Sequence, residues 1–212
     1  MGLELDHVFI LVKPEAIVAG LLLSIGMKES FSRDHKGQGT SNRRFEFSNG
    51  MLELLWVRDA EEAMNGPGRD LHFLKRTENP LFSPFGIILR KKRNAYKKLP
   101  FDGWRYQPDY FMPPMSFHVG INSKNFIEPL CIYAPFIEVS SRKMARGTFN
   151  AISNVKIHTI AKDTSDILNI MDKIDRLSIV KGNEHLMGIT FDEGRSGLSK
   201  DFRPDLPLII HW

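Results

Sequence analysis

The segment His35-Lys-Gly-Gln-Gly-Thr-Ser-Asn42, followed by Arg43-Arg-Phe-Glu-Phe47 and Met51-Leu-Glu-Leu-Leu-Trp56, decides how the fold is interpreted. A polar, glycine-containing turn precedes two short strands, which Ser48-Asn-Gly50 joins as a second turn. The second strand carries one acidic residue, Glu53, inside an otherwise apolar run. A buried carboxylate that has lost its partner costs roughly 3–5 kcal/mol, so a compensating group is expected nearby. These strands are therefore predicted to carry a polar site.

His7 is the residue that we expect to compensate Glu53. It stands in Leu5-Asp-His-Val-Phe-Ile-Leu-Val12, whose alternation predicts a first strand with His7, Phe9 and Leu11 on one face. His7 and Glu53 each interrupt an apolar strand where a side chain would face the surface of a neighbouring strand. The pattern indicates a small-molecule site, which could include a metal. A hydrogen-bonded pair that braces two strands is the structural alternative.

Composition indicates a soluble globular protein. The chain has 212 residues, of which 42% are hydrophobic and 25% charged, and no apolar run reaches the ~18–20 residues of a membrane span. The start, Met-Gly-Leu-Glu-Leu-Asp6, lacks the pattern of a signal peptide. The single cysteine, Cys131, excludes an internal disulfide and fits a reducing compartment. The predicted location is therefore cytoplasmic, without a membrane partner.

The net charge of +4 comes largely from two basic runs, Arg90-Lys-Lys-Arg93 and Lys97-Lys98. Nucleic-acid binding is not favoured, because no zinc finger, RNP motif or heptad zipper accompanies these runs. We interpret them as a solvated connection, with an anion-binding or partner-binding patch as the alternative.

Hydrophobic periodicity predicts an α+β protein made of four segments. The first (1–58) has a βαβββ pattern, and the second (59–82) is a helical connection. The third (83–140) opens with a strand and is poor in helix. The fourth (150–212) is a second clear βαβββ pattern, whose helix carries an apolar stripe from Ile167 to Leu177. The recurrence suggests a fold built from repeated modules.

Several motifs resemble the glyoxalase-like branch of the vicinal oxygen chelate superfamily, which also includes bleomycin resistance proteins and extradiol dioxygenases. They are Leu5-Asp-His-Val8, His35-x-Gly-x-Gly-Thr-x-Asn42, Leu52-Glu-Leu-Leu55 and Ser83-Pro-Phe-Gly86. The similarity covers most of the chain. It implies paired βαβββ modules, each a curled sheet, that face one another around a cleft, with the C-terminal βαβββ unit as an addition.

The resemblance also implies a site chemistry. In the metalloenzymes of this superfamily, His and Glu ligands on the first and last strands hold a divalent metal, which stabilises an enolate or a similar anion. His7 takes the first-strand position and Glu53 the last-strand position. This pair suits Zn, Mn, Fe or Ni. In the second module Gly86 and Cys131 stand at the corresponding positions, so any metal is expected to be weakly bound.

Six further residues are candidates for substrate binding: His35, Thr40, Asn42, Trp104, Tyr106 and His118. Backbone N–H groups around Gly37 and Gly39 could face an anion, or the glycines could serve only a tight turn that needs positive φ. Trp104, Tyr106 and Tyr110 could form a lid over the pocket or plug the end of a sheet. For His118 a place in the core is favoured over a catalytic role, and Cys131 is interpreted as a buried apolar residue, with a reactive thiol as the alternative.

Two functions stay open at this point. The first is a metal-dependent lyase, isomerase or dioxygenase that acts on a small oxygenated metabolite, with His7 and Glu53 as metal ligands or as general acid and base. The second is a metal-free protein of the same fold that binds and sequesters a small molecule. Either function predicts a small-molecule ligand and leaves a homodimer open. The sequence does not choose the substrate or the reaction.

Overall fold

A computed structural model describes residues 2–92, 98–137 and 148–212, and within these ranges the protein is mostly sheet. The strands are β1 (Leu3–Leu11), β2 (Ser32–His35), β3 (Thr40–Phe47), β4 (Gly50–Val57), β5 (Phe85–Lys91), β6 (Gly103–Tyr106), β7 (Phe117–Gly120), β8 (Leu130–Ala134), β9 (Ile152–Thr159), β10 (Leu177–Lys181), β11 (Leu186–Phe191), β12 (Ser199–Asp201) and β13 (Leu208–His211). The α-helices are α1 (Ala19–Ser24), α2 (Ala60–Asn65), α3 (Phe73–Glu78) and α4 (Asp166–Met171). The predicted α+β class is confirmed.

The strands form two sheets. One has eight strands in the order β2-β3-β4-β1-β5-β8-β7-β6, and the other has five in the order β10-β9-β11-β13-β12. In the larger sheet β1 pairs antiparallel with β5 at the centre, while β1 is parallel to β4 and β5 is parallel to β8. The two halves of this sheet therefore have the same strand order on either side of the β1–β5 pair.

The two faces of the large sheet bury different hydrophobic clusters. On β1, Val8 and Ile10 belong to the larger cluster, which includes α1 and the five-stranded sheet. Phe9 and Leu11, which alternate with them, belong to a smaller cluster with Phe73 of α3. The five-stranded sheet thus covers one face, and the other face is left to form the wall of a cavity.

A β-bulge in β1 changes which side chains reach that wall. The register of β1 against β5 shifts between Leu5 and His7, so that Asp6 is the extra residue. Leu5 consequently packs in the larger cluster, while Asp6 and His7, although adjacent in sequence, both line the cavity on the other face.

The C-terminal unit differs in detail from the predicted βαβββ pattern. Four strands follow α4 instead of three, because Ser199–Asp201 forms the short additional strand β12. α4 begins as predicted at Ser165, whose side chain accepts a hydrogen bond from the backbone N–H of Leu168. The apolar stripe packs into the core, with Ile167 only 4% exposed.

The predicted solvated connection at 90–98 is wrong for its first residue. Arg90 is buried and forms ion pairs with Glu4 at 2.9 Å and with Asp6 at 3.0 Å. Arg93 and Lys97 of the basic runs lie outside the described residues. Within the described ranges, no helix is long and apolar enough to cross a membrane.

Candidate functional site

The uncovered face of the large sheet contains a cavity of about 250 Å³ with two chemically different walls. Strands β1 to β4 supply the charged and histidine side chains of the lining, which form its polar wall: Asp6, His7, Arg33, His35, Arg44, Glu46 and Glu53. The apolar Phe9, Met51 and Leu55 of the same strands lie among them. The other half of the sheet and the segments that follow β6 and β8 supply an apolar wall: Ile88, Phe111, Phe117, Ile132, Phe136 and Ile137. The cavity therefore suits a ligand with one polar and one apolar end.

Glu53 lies at the centre of the polar wall and is compensated by several neighbours. It is 6% exposed, its Oε1 accepts a hydrogen bond from the Asn42 amide, and the Arg44 Nε lies 3.3 Å from the same oxygen. Burial alone would raise the pKa of Glu53. Its neighbours, first His7 and then Arg44, lower the pKa by more than burial raises it, so that the net shift is downward. The carboxylate is therefore ionised, and its compensation comes from more residues than the sequence predicted.

His7 is held by the neighbouring residue of the bulge. Its Nδ1 lies 2.6 Å from Oδ2 of Asp6, while Asp6 Oδ1 accepts from Arg90 at 3.0 Å. The Nε2 of His7 faces Glu53 Oε2 at 3.8 Å, which is too long for a hydrogen bond. Both residues line the cavity, so a ligand atom beside this pair could contact the His7 Nε2 and the Glu53 Oε2 together.

His35 is the hub of a buried hydrogen-bond network behind the cavity wall. Its Nδ1 lies 3.0 Å from the Thr40 hydroxyl, and its Nε2 lies 3.3 Å from the Asn42 amide nitrogen. Burial lowers the pKa of His35 to about 4, although the charge of Glu53 acts in the opposite direction. His35 is thus neutral at pH 7, which allows its Nε2 to accept from Asn42. Thr40 and Asn42 support the wall, and the cavity surface is formed by His35 and Glu53.

The N–H of Gly37 in the glycine turn is bonded within the protein. The Gly37 N–H donates to the Glu62 carboxylate at 2.5 Å, and Gly37 and Gly39 have φ values of +79° and +71°. A Cβ at Gly39 would lie 2.4 Å from the backbone nitrogen of Ala63. The glycines are explained by positive φ and by close packing against α2, and the anion that this turn binds is a side chain of the protein itself.

Two tyrosines join the far end of the sheet to the polar wall. The hydroxyl groups of Tyr106 and Tyr110 both donate to the side-chain oxygen of Gln38, at 3.1 and 3.0 Å. The Gln38 amide in turn donates to Thr40 at 2.7 Å. Tyr110 also lies against the His35 ring, with centroids 5.1 Å apart. These contacts close the cavity on the side of β2 and β6.

Like Thr40 and Asn42, the binding candidates His118 and Trp104 lie away from the cavity surface, as does Cys131. The His118 Nε2 lies 2.8 Å from the carbonyl oxygen of Phe101 on the opposite face of β7, and the Trp104 indole N–H donates to Ser123 at 3.3 Å. Cys131 is fully buried, and burial raises the pKa of its thiol to about 12, as expected for a core residue and not for a nucleophile.

The sequence analysis missed the two arginines. Arg44 shares its face of β3 with Asn42 because these positions alternate with Phe45, and this alternation was a usable signal. Arg33 likewise lies two residues before His35 on β2. Of the three aromatic residues considered as a lid, Tyr106 and Tyr110 line the cavity and Trp104 does not.

The donors of this site do not fit the predicted divalent metal. One oxygen of Glu53 is already bonded to Asn42 and Arg44, and a guanidinium so close competes with a cation. Position 86, where a second-module ligand would stand, is a glycine: a Cβ there would lie 1.9 Å from the Phe9 ring. Within residues 2–92, 98–137 and 148–212, no three His, Cys, Asp or Glu side chains are grouped to hold an ion.

Comparisons with known proteins bear on the fold only. No family model matches the chain, and no curated protein matches it. A hypothetical protein from Staphylococcus aureus is similar over 98% of both chains, with 16% identity and a TM-score of 0.59. A hypothetical protein from Bacillus halodurans C-125 aligns with 66% of this chain and 99% of its own, with 14% identity and a TM-score of 0.44. Both are described as hypothetical proteins, so neither indicates a ligand or an activity.

Proposed function

We propose that this protein is a glyoxalase-like small-molecule-binding protein that takes its ligand without a metal, in the cavity between the two halves of its large sheet. The repeated strand order, β2-β3-β4-β1 beside β5-β8-β7-β6, supports the interpretation of these halves as paired modules of that superfamily. The ligand is a small, oxygen-bearing molecule with an apolar body. The protein acts as a binding or sequestering protein in this proposal.

The division of the cavity into two walls is the observation that carries this proposal. A polar wall around His7 and Glu53 faces an apolar wall around Ile132 and Phe117 across about 250 Å³. Sites for drug-sized ligands are roughly 300–1,000 Å³, so this volume suits a compact metabolite. A few placed polar groups on an otherwise apolar surface are the usual composition of such sites.

The pKa shifts of Glu53 and His35 favour binding over acid–base catalysis by these two groups. A general base works best when its pKa lies near the operating pH. The pKa of Glu53 is lowered, and the pKa of His35 is lowered to about 4, so neither group is tuned to exchange a proton at pH 7. Both are suited to fixed hydrogen bonds with a ligand.

Calorimetry tests the claim that the ligand is bound without a metal. Zn²⁺, Mn²⁺ and Ni²⁺ are titrated into the wild type and into Glu53→Gln, and Fe²⁺ is titrated into both proteins under anaerobic conditions. We expect that the wild type binds none of these ions saturably at millimolar concentration. Glu53→Gln should therefore give the same titration curve as the wild type. Stoichiometric binding that depends on Glu53 would refute the metal-free proposal and favour the metalloenzyme.

The ligand arm uses the isoleucine methyl groups as reporters. Phenyl- and cyclohexyl-substituted alcohols, amides and carboxylic acids are titrated while methyl chemical shifts are recorded. Shifts are expected at Ile88 and Ile132 in the cavity and not at Ile179 in the other sheet. Ile137→Trp should block binding by filling the mouth, whereas Ile179→Trp, a matched change outside the cavity, should not. Shifts spread evenly over both sheets would contradict the site.

A further inference from the structure

We propose that the ligand of this cavity is an organic acid, whose carboxylate is bound by Arg33 with help from Arg44 and whose aromatic or branched apolar body lies against the opposite wall. This inference rests on the proposed function, since it names the chemical class of the molecule in the same cavity. It is carried by the placement of the two guanidinium groups and by the aromatic side chains beside them.

Arg33 is a half-buried cation on the cavity wall that no carboxylate of the described chain neutralises. Its guanidinium carbon lies 5.0 Å from the centroid of Tyr110 and 5.5 Å from that of Phe111. Ring faces hold the guanidinium in place but do not use its N–H donors. The planar fork of donors is thus oriented in advance and matches the two oxygens of a carboxylate.

Arg44 adds a second guanidinium on the same wall. β2 and β3 pair so that Arg33 stands opposite Asn42. Arg44 lies two residues beyond Asn42 on β3, so its side chain is on the same face of the sheet as that of Arg33. Arg44 contacts Glu53 through its Nε at 3.3 Å, and its terminal NH₂ groups form no ion pair with the described residues. An oxygen atom between the two arginines would therefore meet donors from both.

The carboxylates of the wall do not cancel this positive end. Glu53 neutralises one charge, that of Arg44. Glu46 also lines the cavity; it lies two residues beyond Arg44 on the same face of β3, and about 13 Å along the strand from the position opposite Arg33. Asp6 is paired with Arg90 and His7 at the other side of the wall. Arg33 is therefore the cation of this wall that forms no ion pair with a described carboxylate, and it lies next to the aromatic residues.

The aromatic residues define the second half of the ligand. Phe111, Phe117 and Phe136 form a mutual cluster with ring centroids 5.0 to 5.7 Å apart, and all three line the cavity. Because Phe111 belongs both to this cluster and to the Arg33 contact, a carboxylate on Arg33 would place the rest of the molecule against the rings. A short aryl-alkyl acid has this arrangement of groups.

The test compares 3-phenylpropionate with its neutral amide, 3-phenylpropionamide, by titration against the isoleucine methyl signals of the full chain. We expect the acid to bind the wild type about tenfold or more tightly than the amide, because hydrogen bonds between charged partners are the stronger class. Arg33→Met, which keeps an apolar side chain against the two rings, should lower acid affinity about tenfold and leave amide affinity within twofold. Arg33→Lys should retain part of the preference for the acid.

The control is Arg195→Met, which removes an exposed arginine of the C-terminal unit and should leave both affinities unchanged. Equal binding of acid and amide at Ile132, or loss of both ligands together in Arg33→Met with an intact methyl spectrum, would overturn the organic-acid inference and keep the cavity as a neutral-ligand site. Absence of any shift at Ile88 and Ile132 with acids, amides and alcohols alike would overturn the proposed function as well.

Discussion

Acidification should destabilise this protein through His35, by an amount that follows from its burial. The pKa of His35 falls from 6.5 in the unfolded chain to about 4 in the folded protein. Between these values the unfolded state binds more protons, so the free energy of unfolding falls as the pH falls. This difference in pKa corresponds to about 3 kcal/mol, of which about 2 kcal/mol is lost between pH 7 and 5. Above about pH 7.5 this contribution is complete.

The measurement is urea denaturation at pH 7, 6, 5 and 4.5 on the wild type and His35→Gln. Glutamine can accept from Asn42 and donate to Thr40 without titrating, so the carboxylates, which titrate in both proteins, cancel in the difference. The stability advantage of the wild type over His35→Gln should shrink by about 2 kcal/mol from pH 7 to 5. If the stability difference between the two proteins does not depend on pH, His35 is not held neutral by its hydrogen bonds in the folded protein.

Two further outcomes concern packing. Gly86→Ala should lower the free energy of unfolding by about 1–3 kcal/mol, because the new Cβ would lie 1.9 Å from the Phe9 ring. Phe9→Leu in the same chain should recover most of that loss. Equal losses with and without Phe9→Leu, measured by urea denaturation, would refute this clash. Ile167→Ala should lower the free energy of unfolding by about 2–5 kcal/mol, because the side chain is buried in the core of the C-terminal unit. The change in the Ile132 methyl chemical shift on ligand addition should stay the same. Loss of that response at normal stability would assign the C-terminal unit to the site.

The sequence was sufficient where a strand alternates without interruption. Glu53 in β4 and His7 in β1 were expected near one another, and the structure places both on the cavity wall. Alternation alone does not say which of its two faces is the functional one. His118 shows this limit: Phe117, its neighbour on β7, lines the cavity, so His118 points to the other side.

The parts that could not be predicted depend on irregular backbone or on distant pairing. Asp6 reaches the same side of β1 as His7 only because a bulge interrupts the register, and a single extra residue leaves no pattern in the sequence. The contact of Arg33 with Tyr110 joins residues that are far apart in the chain. Such pairs follow from the closure of the whole sheet, which local periodicity does not encode.

The way in which the cavity is closed also sets how a ligand can enter and leave. Strands β2 and β6 are the two edges of the large sheet, and between them run side-chain bonds to Gln38 in place of a backbone ladder. Each such bond contributes only about 0.5–1.5 kcal/mol, and the burial of Tyr106 and the packing of Tyr110 on His35 add to the cost of separating this seam. Separation here would break no pairing between strands, so a molecule could pass at this side without any loss of the sheet.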